Sequence, residues 1–459
     1  TEIYTLSLHD ALPISKRVHG KAQKSSSIWS AGYQPIPNNA ADMQVTYFAH
    51  MAVFRRTEND VTSTMEVTVA PDDPVEIRRV YLQNNIDTPR NLRLTSYGEV
   101  ILTPQVADSR HPAFNKLFIE SEFVPELNLQ VFKRRPRSNQ DASIFMGHML
   151  VMDGSQGIAQ HEADRNRFMG RNRTFRNPIA ITSKLDLSGT SGATLDPIFA
   201  LGRAIKLAPH ESINLAYLTF AADSREEIIA LAKRYRSWSQ IERTFRQADI
   251  AGTAWLEKQD ITTQLLKDSL QVLSALLYSF KAVRASPDVL AANVLGQSGL
   301  WRFGISGDSP ILLNELDDPK QIELVHDVLQ VHKFLRSRGF KMDLVIINRQ
   351  QSNYGAEMHG MLYRLVSKMS GEEWLNQRGG IYILYRDQMK PEEHTLLQTA
   401  ARVLLSGNKG PLTNQIPGYS YPVLHLPDLT PTRQSKSMVK AAQPPQSSQI
   451  GRASCRERV

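Results

Sequence analysis

The residues at 300–310 read Leu-Trp-Arg-Phe-Gly-Ile-Ser-Gly-Asp-Ser-Pro. Trp301 and Phe303 offer flat apolar faces, while Arg302, Ser306 and Asp308 offer groups that bind sugar hydroxyls or phosphate. Gly304 and Gly307 stand where a backbone needs an unusual φ or a close approach. Trp301, Arg302, Ser306 and Asp308 are therefore candidate substrate-binding residues, against the plainer reading of a turn between domains. A second stretch, 164–178, carries Arg165, Arg167, Arg171, Arg173 and Arg176 with Phe168 and Phe175 among them. Arginine interleaved with aromatics binds phosphate, stacked bases or sugar rings. Arg167, Arg171 and Arg173 are candidates on that ground, and a solvated or carboxylate-paired rim is the structural alternative. Lys133-Arg134-Arg135-Pro136-Arg137 is a further basic cluster.

Other chemistries find little support. None of the twelve histidines forms an HExxH, and His326 and His332 are six apart, off one helical face, so no metal is expected. There is no GxxxxGK[ST], no GxGxxG after a strand, and no GxSxG, so no nucleotide cofactor or serine nucleophile is expected. Glu99, Glu120, Asp308, Asp317 and Asp318 are available for a glycosidase-type carboxylate pair, which spacing alone does not reveal.

The elements that position these residues change character along the chain. Strand signals with period two fill 44–222: segments 45–55, 62–70, 75–84, 91–102, 116–123, 127–133, 143–152, 198–207 and 212–221, with turn residues between them. In 75–84 the alternation slips between Ile77 and Val80, which predicts a bulge near Arg78-Arg79. This pattern predicts a large antiparallel β-sandwich. Ser224-Arg225-Glu226-Glu227 is a capping box, and helices are predicted over 225–236, 240–247 and 255–283, making 223–298 a helical linker. After the loop, 299–415 alternates helix 321–338, strand 343–348, helix 356–369, strand 379–385 and helix 391–405, which predicts a small parallel α/β unit. The fold class is thus multidomain: β, then α, then α/β.

With 459 residues, 41% hydrophobic and 22% charged, the chain is long enough for two or three cored domains. No run of eighteen uncharged apolar residues occurs, so no membrane segment is expected in the chain. The net charge of +8 is diffuse, and no known nucleic-acid module accompanies the arginines, so no nucleic-acid partner is expected. Residues 1–15 and 450–459 resemble translated sequencing-adapter sequence and are read as non-native ends. They contain the single cysteine, Cys455, leaving no disulfide framework in the body. Residues 16–43 and 416–449 read as linkers.

Five ordered stretches resemble the glycosyltransferase family 36 / glycoside hydrolase family 94 group, most nearly the C-terminal region of the cyclic β-1,2-glucan synthases. They are Leu94-Thr95-Ser96-Tyr97 with Glu99, Asp108 with His111-Pro112-Ala113-Phe114, Arg134-Arg135-Pro136-Arg137, the segment 164–173, and 300–310. The resemblance implies a part of an inner-membrane hexosyltransferase or phosphorylase. Its implied partners are β-glucan or glucose-type oligosaccharide, phosphate, and the remaining domains of the full-length enzyme; the fragment itself would be soluble. The family's catalytic acid sits on an (α/α)6 barrel that this chain does not match, so binding and scaffolding are the implied roles. A purely structural scaffold and an anion- or nucleic-acid-binding module remain the alternatives.

Overall fold

A computed structural model describes residues 13–17, 28–32, 34–36, 43–136, 143–154, 157–183, 185–350, 352–369 and 371–416. The chain divides into two compact units. Leu270 closes the main stretch of the first and Gln271 opens the second, with residues 333–335 grouped with the first.

Among the described residues, unit 1 is built on two antiparallel sheets. Its strands are β1 (Pro13–Arg17), β2 (Ile28–Ser30), β3 (Met43–Tyr47), β4 (Met51–Glu58), β5 (Val61–Val69), β6 (Val75–Asn84), β7 (Arg90–Thr95), β8 (Gly98–Glu99), β9 (Ile119–Val124), β10 (Leu129–Arg134), β11 (Ile144–Met152), β12 (Gln160–Asp164), β13 (Gly192–Ala193), β14 (Pro197–Leu207) and β15 (Ser212–Ala222). The larger sheet runs β13-β9-β10-β11-β15-β6-β5-β4-β3, and the smaller β12-β14-β7-β1-β2 with β8 beside β14. Short helices α1 (Gln105–Arg110), α2 (Pro112–Lys116), α3 (Arg165–Met169) and α4 (Ile179–Thr182) interrupt the strands. Two long helices follow, α5 (Arg225–Tyr235) and α6 (Trp238–Lys258).

The larger sheet has apolar side chains on both faces. Val80, Leu82, Leu150, Leu215 and Tyr217 meet Trp29, Leu92, Leu94 and Leu201 of the smaller sheet. On the other face, Val75, Ile77, Met149, Leu218 and Phe220 pack against Ile228, Leu231, Tyr235, Ile241 and Phe245 of α5 and α6. Each such fully buried side chain contributes about 1.5–3 kcal/mol. Arg56, itself buried, ties the two sheets: its guanidinium donates to the carbonyls of Ser30 (3.3 Å) and Gly32 (3.4 Å) and pairs with Glu58.

This double covering corrects the bulge predicted in β6. Its register with β5 and β15 is unbroken through Arg78 and Arg79. Val75 and Ile77 point to the helices, and Val80 and Leu82 point to the other sheet. The apolar signal changes face because the cover changes face.

Other boundaries also differ from the sequence reading. Segment 45–55 is a hairpin, β3 and β4, turning at residues 48–50. The predicted strand 91–102 leaves the ladder after Thr95. Helices 240–247 and the start of 255–283 are one helix, α6, and the predicted long helix breaks after Lys258. There Asp260 adopts a left-handed φ of 56°, with Ile261 N–H bonding Leu256 O (3.0 Å) and Asp260 N–H bonding Glu257 O (3.0 Å). That is a Schellman ending with aspartate in the place glycine usually takes, which hid it from the sequence. α7 (Thr263–Leu277) follows across the division between units.

Unit 2 contains α8 (Pro287–Ala292), β16 (Ile311–Leu316), α9 (Ile322–Ser337), β17 (Asp343–Asn348), α10 (Ser352–Lys368), β18 (Ile381–Tyr385), α11 (Pro391–Ala400), β19 (Val403–Ser406) and α12 (Leu412–Gln415). The strands form a parallel sheet in the order β18-β17-β16-β19. β19 was missed because Val403-Leu404-Leu405 extends the apolar period of α11 by one more turn. β16 and β17 are buried along their whole length, as a parallel sheet covered on both faces requires.

One position tests the packing on the helix side of the large sheet. Gly147 on β11 lies opposite Phe220, and a Cβ there would stand 2.4 Å from the Phe220 ring. Gly147→Ala should lower unfolding free energy by about 1–3 kcal/mol, read as a fall in the denaturant midpoint with unchanged slope. A wild-type midpoint would mean that the Phe220 ring moves aside at no cost.

Candidate functional site

The loop at 300–310 is more ordered than its sequence predicts. Residues Gln297–Phe303 form a 3-10 helix that Gly304 ends with φ 76°, its N–H bonding Trp301 O at 2.9 Å. Ile305 is then driven fully into the core of unit 2, beside Leu300. Gly307 has φ 77°, and a Cβ there would lie 2.8 Å from Gln297 Cγ, so both glycines are required by the backbone.

The polar residues of the loop already have partners. Arg302 pairs with Glu393 and donates to Gln388 O (3.4 Å). The backbone N–H of Lys390 and the Arg302 guanidinium hold the Glu393 carboxyl below the usual carboxylate range. Ser306 Oγ accepts from Asp308 N–H at 3.2 Å. Asp308 pairs with Arg378 at 3.0 Å and accepts from Gln297 Nε2 at 3.3 Å, and the same amide donates to Ser306 O at 2.8 Å. Trp301 differs from these: 64% of its surface is exposed.

In unit 1 the arginine segment splits into two populations. Asp164 caps α3 by accepting from Asn166 N–H at 2.8 Å. Phe168 and Met169 are buried, and Phe168 and Phe175 pack around Tyr97 with ring centroids 4.8 and 5.3 Å away. Arg167 and Arg171 are exposed. Arg173 is exposed too, but donates to Thr182 Oγ1 (2.6 Å) and Asn177 O (3.3 Å). The two candidate groups, 301–308 and 167–173, belong to different units.

A charged cluster beneath α3 went unrecognised in the sequence because its members come from five places in it. Arg165 pairs with Glu99 (3.1 Å) and Asp196 (3.5 Å) and lies 5.1 Å from the centre of the Phe175 ring. Lys116 pairs with Asp196 (2.6 Å) and Glu99 (3.3 Å). Burial pulls the Lys116 ammonium down, but Asp196 and Glu99 together raise it. Burial and Glu99 push the Tyr97 hydroxyl above its usual range. Two carboxylates bridged by two cations form a closed ion network, not an acid and a base set apart for glycoside chemistry. Glu120 is likewise paired with Arg135 (3.1 Å).

Two buried networks contain groups that resemble catalytic machinery. His148 lies between Ser96 Oγ (2.8 Å) and Thr219 Oγ1 (3.0 Å), stacked on Phe199 in the core of unit 1. Burial, reinforced by Arg78, holds it well below the usual histidine range, so it is neutral. Ser96 and His148 are each 2% exposed, so no substrate reaches them. In unit 2, Glu315 accepts from His394 Nε2 (2.8 Å) and Gln398 Nε2 (2.9 Å) and pairs with Arg349 (3.4 Å), which also pairs with Asp317 (3.4 Å). Among the described residues, no group of three or more His, Cys, Asp or Glu side chains is arranged to hold a metal ion.

Residues 21–238 match the family model described as "Glycosyl hydrolase 94, supersandwich domain". A cyclic beta-(1,2)-glucan synthase of Rhizobium meliloti (strain 1021) is 30% identical over 391 residues, 84% of this chain and 14% of that protein. An N,N'-diacetylchitobiose phosphorylase of Vibrio furnissii is 21% identical over 230 residues, 50% of this chain and 28% of that one. The chain thus spans less than a third of either curated relative. A solved bacterial glucoamylase complexed with acarbose overlaps 59% of this chain and 35% of its own at 8% identity, with a TM-score of 0.35.

The Glu315 site carries a pH prediction. Burial would raise its carboxyl, but His394, Gln398 and Arg349 together bring it below the usual value. A lowered folded pKa contributes stability that is complete above the unfolded value, ~4.3, and is lost as pH falls. Unfolding free energy should therefore drop with acidification below about pH 5, and Glu315→Gln should flatten that limb. Denaturant titrations across the acid range check this; equal slopes for both proteins would refute it.

Proposed function

We propose that this chain, whose residues 21–238 match the glycosyl hydrolase 94 supersandwich family model, is a carbohydrate-binding and scaffolding part of a larger protein acting on β-1,2-linked glucan by hexosyl transfer or phosphorolysis. The observation that carries the reading is the alignment of 84% of the chain with a protein named a cyclic beta-(1,2)-glucan synthase. A relative named a phosphorylase supports phosphate as a second ligand of the whole protein. The catalytic acid lies in other domains of that protein, which are this chain's partners. Among the described residues no helix is long and apolar enough to cross a membrane.

Trp301 is the sugar platform in this reading. An exposed indole beside charged side chains offers an apolar face to a pyranose ring and polar groups to its hydroxyls. Arg302, Ser306 and Asp308 supply those polar groups. The Asp308–Arg378 pair is exposed, and exposed ion pairs are worth only about 0–1 kcal/mol, so exchanging that partner for hydroxyls costs little; Arg302 is tied instead to the buried Glu393. Arg167, Arg171 and Arg173 form a second polar rim, on unit 1, suited to hydroxyls or phosphate.

A scaffold role without sugar binding is favoured by one observation: every candidate polar group in the loop already has a partner in the folded chain. Calorimetric titration with linear β-1,2-gluco-oligosaccharides separates the readings. Saturable heat that Trp301→Ala weakens by about tenfold, equivalent to ~1.4 kcal/mol, supports sugar binding at the loop. No heat at any chain length leaves the scaffold.

A further inference from the structure

The helix side of the large sheet changes from apolar to polar partway along β6, and a cleft of about 320 Å³ opens where it does. That volume lies at the low end of the ~300–1,000 Å³ range of small-ligand sites. Its floor is two cross-strand rows. Thr64, Tyr81 and Asn214 stand side by side on β5, β6 and β15. Glu66 and Arg79 form the next row, beyond which the face becomes the apolar core around Ile77 and Leu218. The wall is the start of α6, where Trp238 and Glu242 are four residues apart and so share one helical face. Every lining residue lies within unit 1.

From this geometry we infer that the cleft of Trp238, Glu242, Glu66, Arg79, Tyr81 and Asn214 is a binding subsite for a neutral pyranoside. Trp238 is half-buried, packed against the helix-side core, which fixes its ring. An indole held in that way is a rigid face for the C–H side of a sugar ring. Arg79 is fixed as well: it donates to Glu66 Oε2 through Nε (2.6 Å) and Nη2 (2.5 Å), and its guanidinium lies 4.1 Å from the centre of the Phe245 ring. Carboxylate, amide, phenol and hydroxyl groups on fixed elements match the mixed donor and acceptor pattern of vicinal sugar hydroxyls.

Charge selects the ligand class. Arg79 is balanced by Glu66, and Glu242 leaves the lining with a net charge of −1. Such a cleft repels phosphate and other anions. Its half-exposed carboxylates and amide exclude a purely apolar ligand, which would strip their water without replacing it. The site is separate from the loop at 300–310, and rests on the proposed function only for the choice of glucose as the sugar.

The test is titration of the full chain with the β-1,2-linked glucose disaccharide, followed by tryptophan fluorescence and calorimetry. A β-1,4-linked glucose disaccharide, a β-galactoside and inorganic phosphate complete the panel. The expected result is saturable binding of a disaccharide that Trp238→Ala and Glu242→Gln each weaken at least tenfold, with phosphate not competing. Glu242→Gln keeps size and helix, so it holds the test open if Trp238→Ala unfolds. Binding lost in Trp301→Ala but intact in Glu242→Gln overturns the subsite and keeps the proposed function. Binding of the galactoside alone, dependent on Glu242, keeps the subsite and removes the glucan reading. Competition by phosphate, or no saccharide binding at all, overturns the subsite.

Discussion

The large sheet of unit 1 must be apolar on both faces, and the rest of that unit follows from this. A strand with one wet face alternates cleanly; β11 has none, and β6 and β15 have one only along the stretch of Arg79, Tyr81 and Asn214. Their even and odd positions serve two different cores, one against the smaller sheet and one against α5 and α6. Satisfying both faces at once limits what a strand can carry. Gly147 is small because Phe220 occupies the space a side chain would take. His148, its neighbour on the opposite face, is neutral and hydrogen-bonded on both ring nitrogens because a charged imidazole has no place there.

The same constraint explains what was legible in the sequence. Strand positions, the antiparallel sandwich and the parallel α/β unit follow from period and turn residues, and the resemblance to the family 94 group rests on stretches that the family match partly covers. Local features that depend on a distant partner were not legible. The slip in β6 imitates a bulge because the cover over each half of the strand comes from elements far along the chain. The end of α6 lacks the glycine that signals a Schellman turn. The fourth parallel strand continues the apolar rhythm of the helix before it.

Candidate residues divide by the same logic. Residue type shows that Arg165, Arg302 and Asp308 are able to bind a ligand; only the fold shows that each is already held by another charge. Trp301 is different in kind. Its indole is 64% exposed, on a turn that two left-handed glycines fix. In unit 1 the arginine stretch serves two purposes at once. Phe168, Phe175 and Arg165 anchor it to Tyr97 and Glu99, while Arg167 and Arg171 face outward.

The slip in β6 and the cleft beside Trp238 are one phenomenon seen at two scales. Along the helix-facing side of that strand, Val75 and Ile77 are apolar, then Arg79 and Tyr81 are not. The strand stays in register, so the change reflects what lies above it rather than a fault in the ladder. Glu66 and Phe245 hold Arg79 in place, which a merely solvated arginine would not need. A polar floor with fixed side chains, next to a core that fixes the indole of its wall, is what a recognition site requires and what a leftover gap in packing lacks. Where a buried-on-both-sides strand abandons its apolar pattern on one face only, the physical question is what that face is being kept open for.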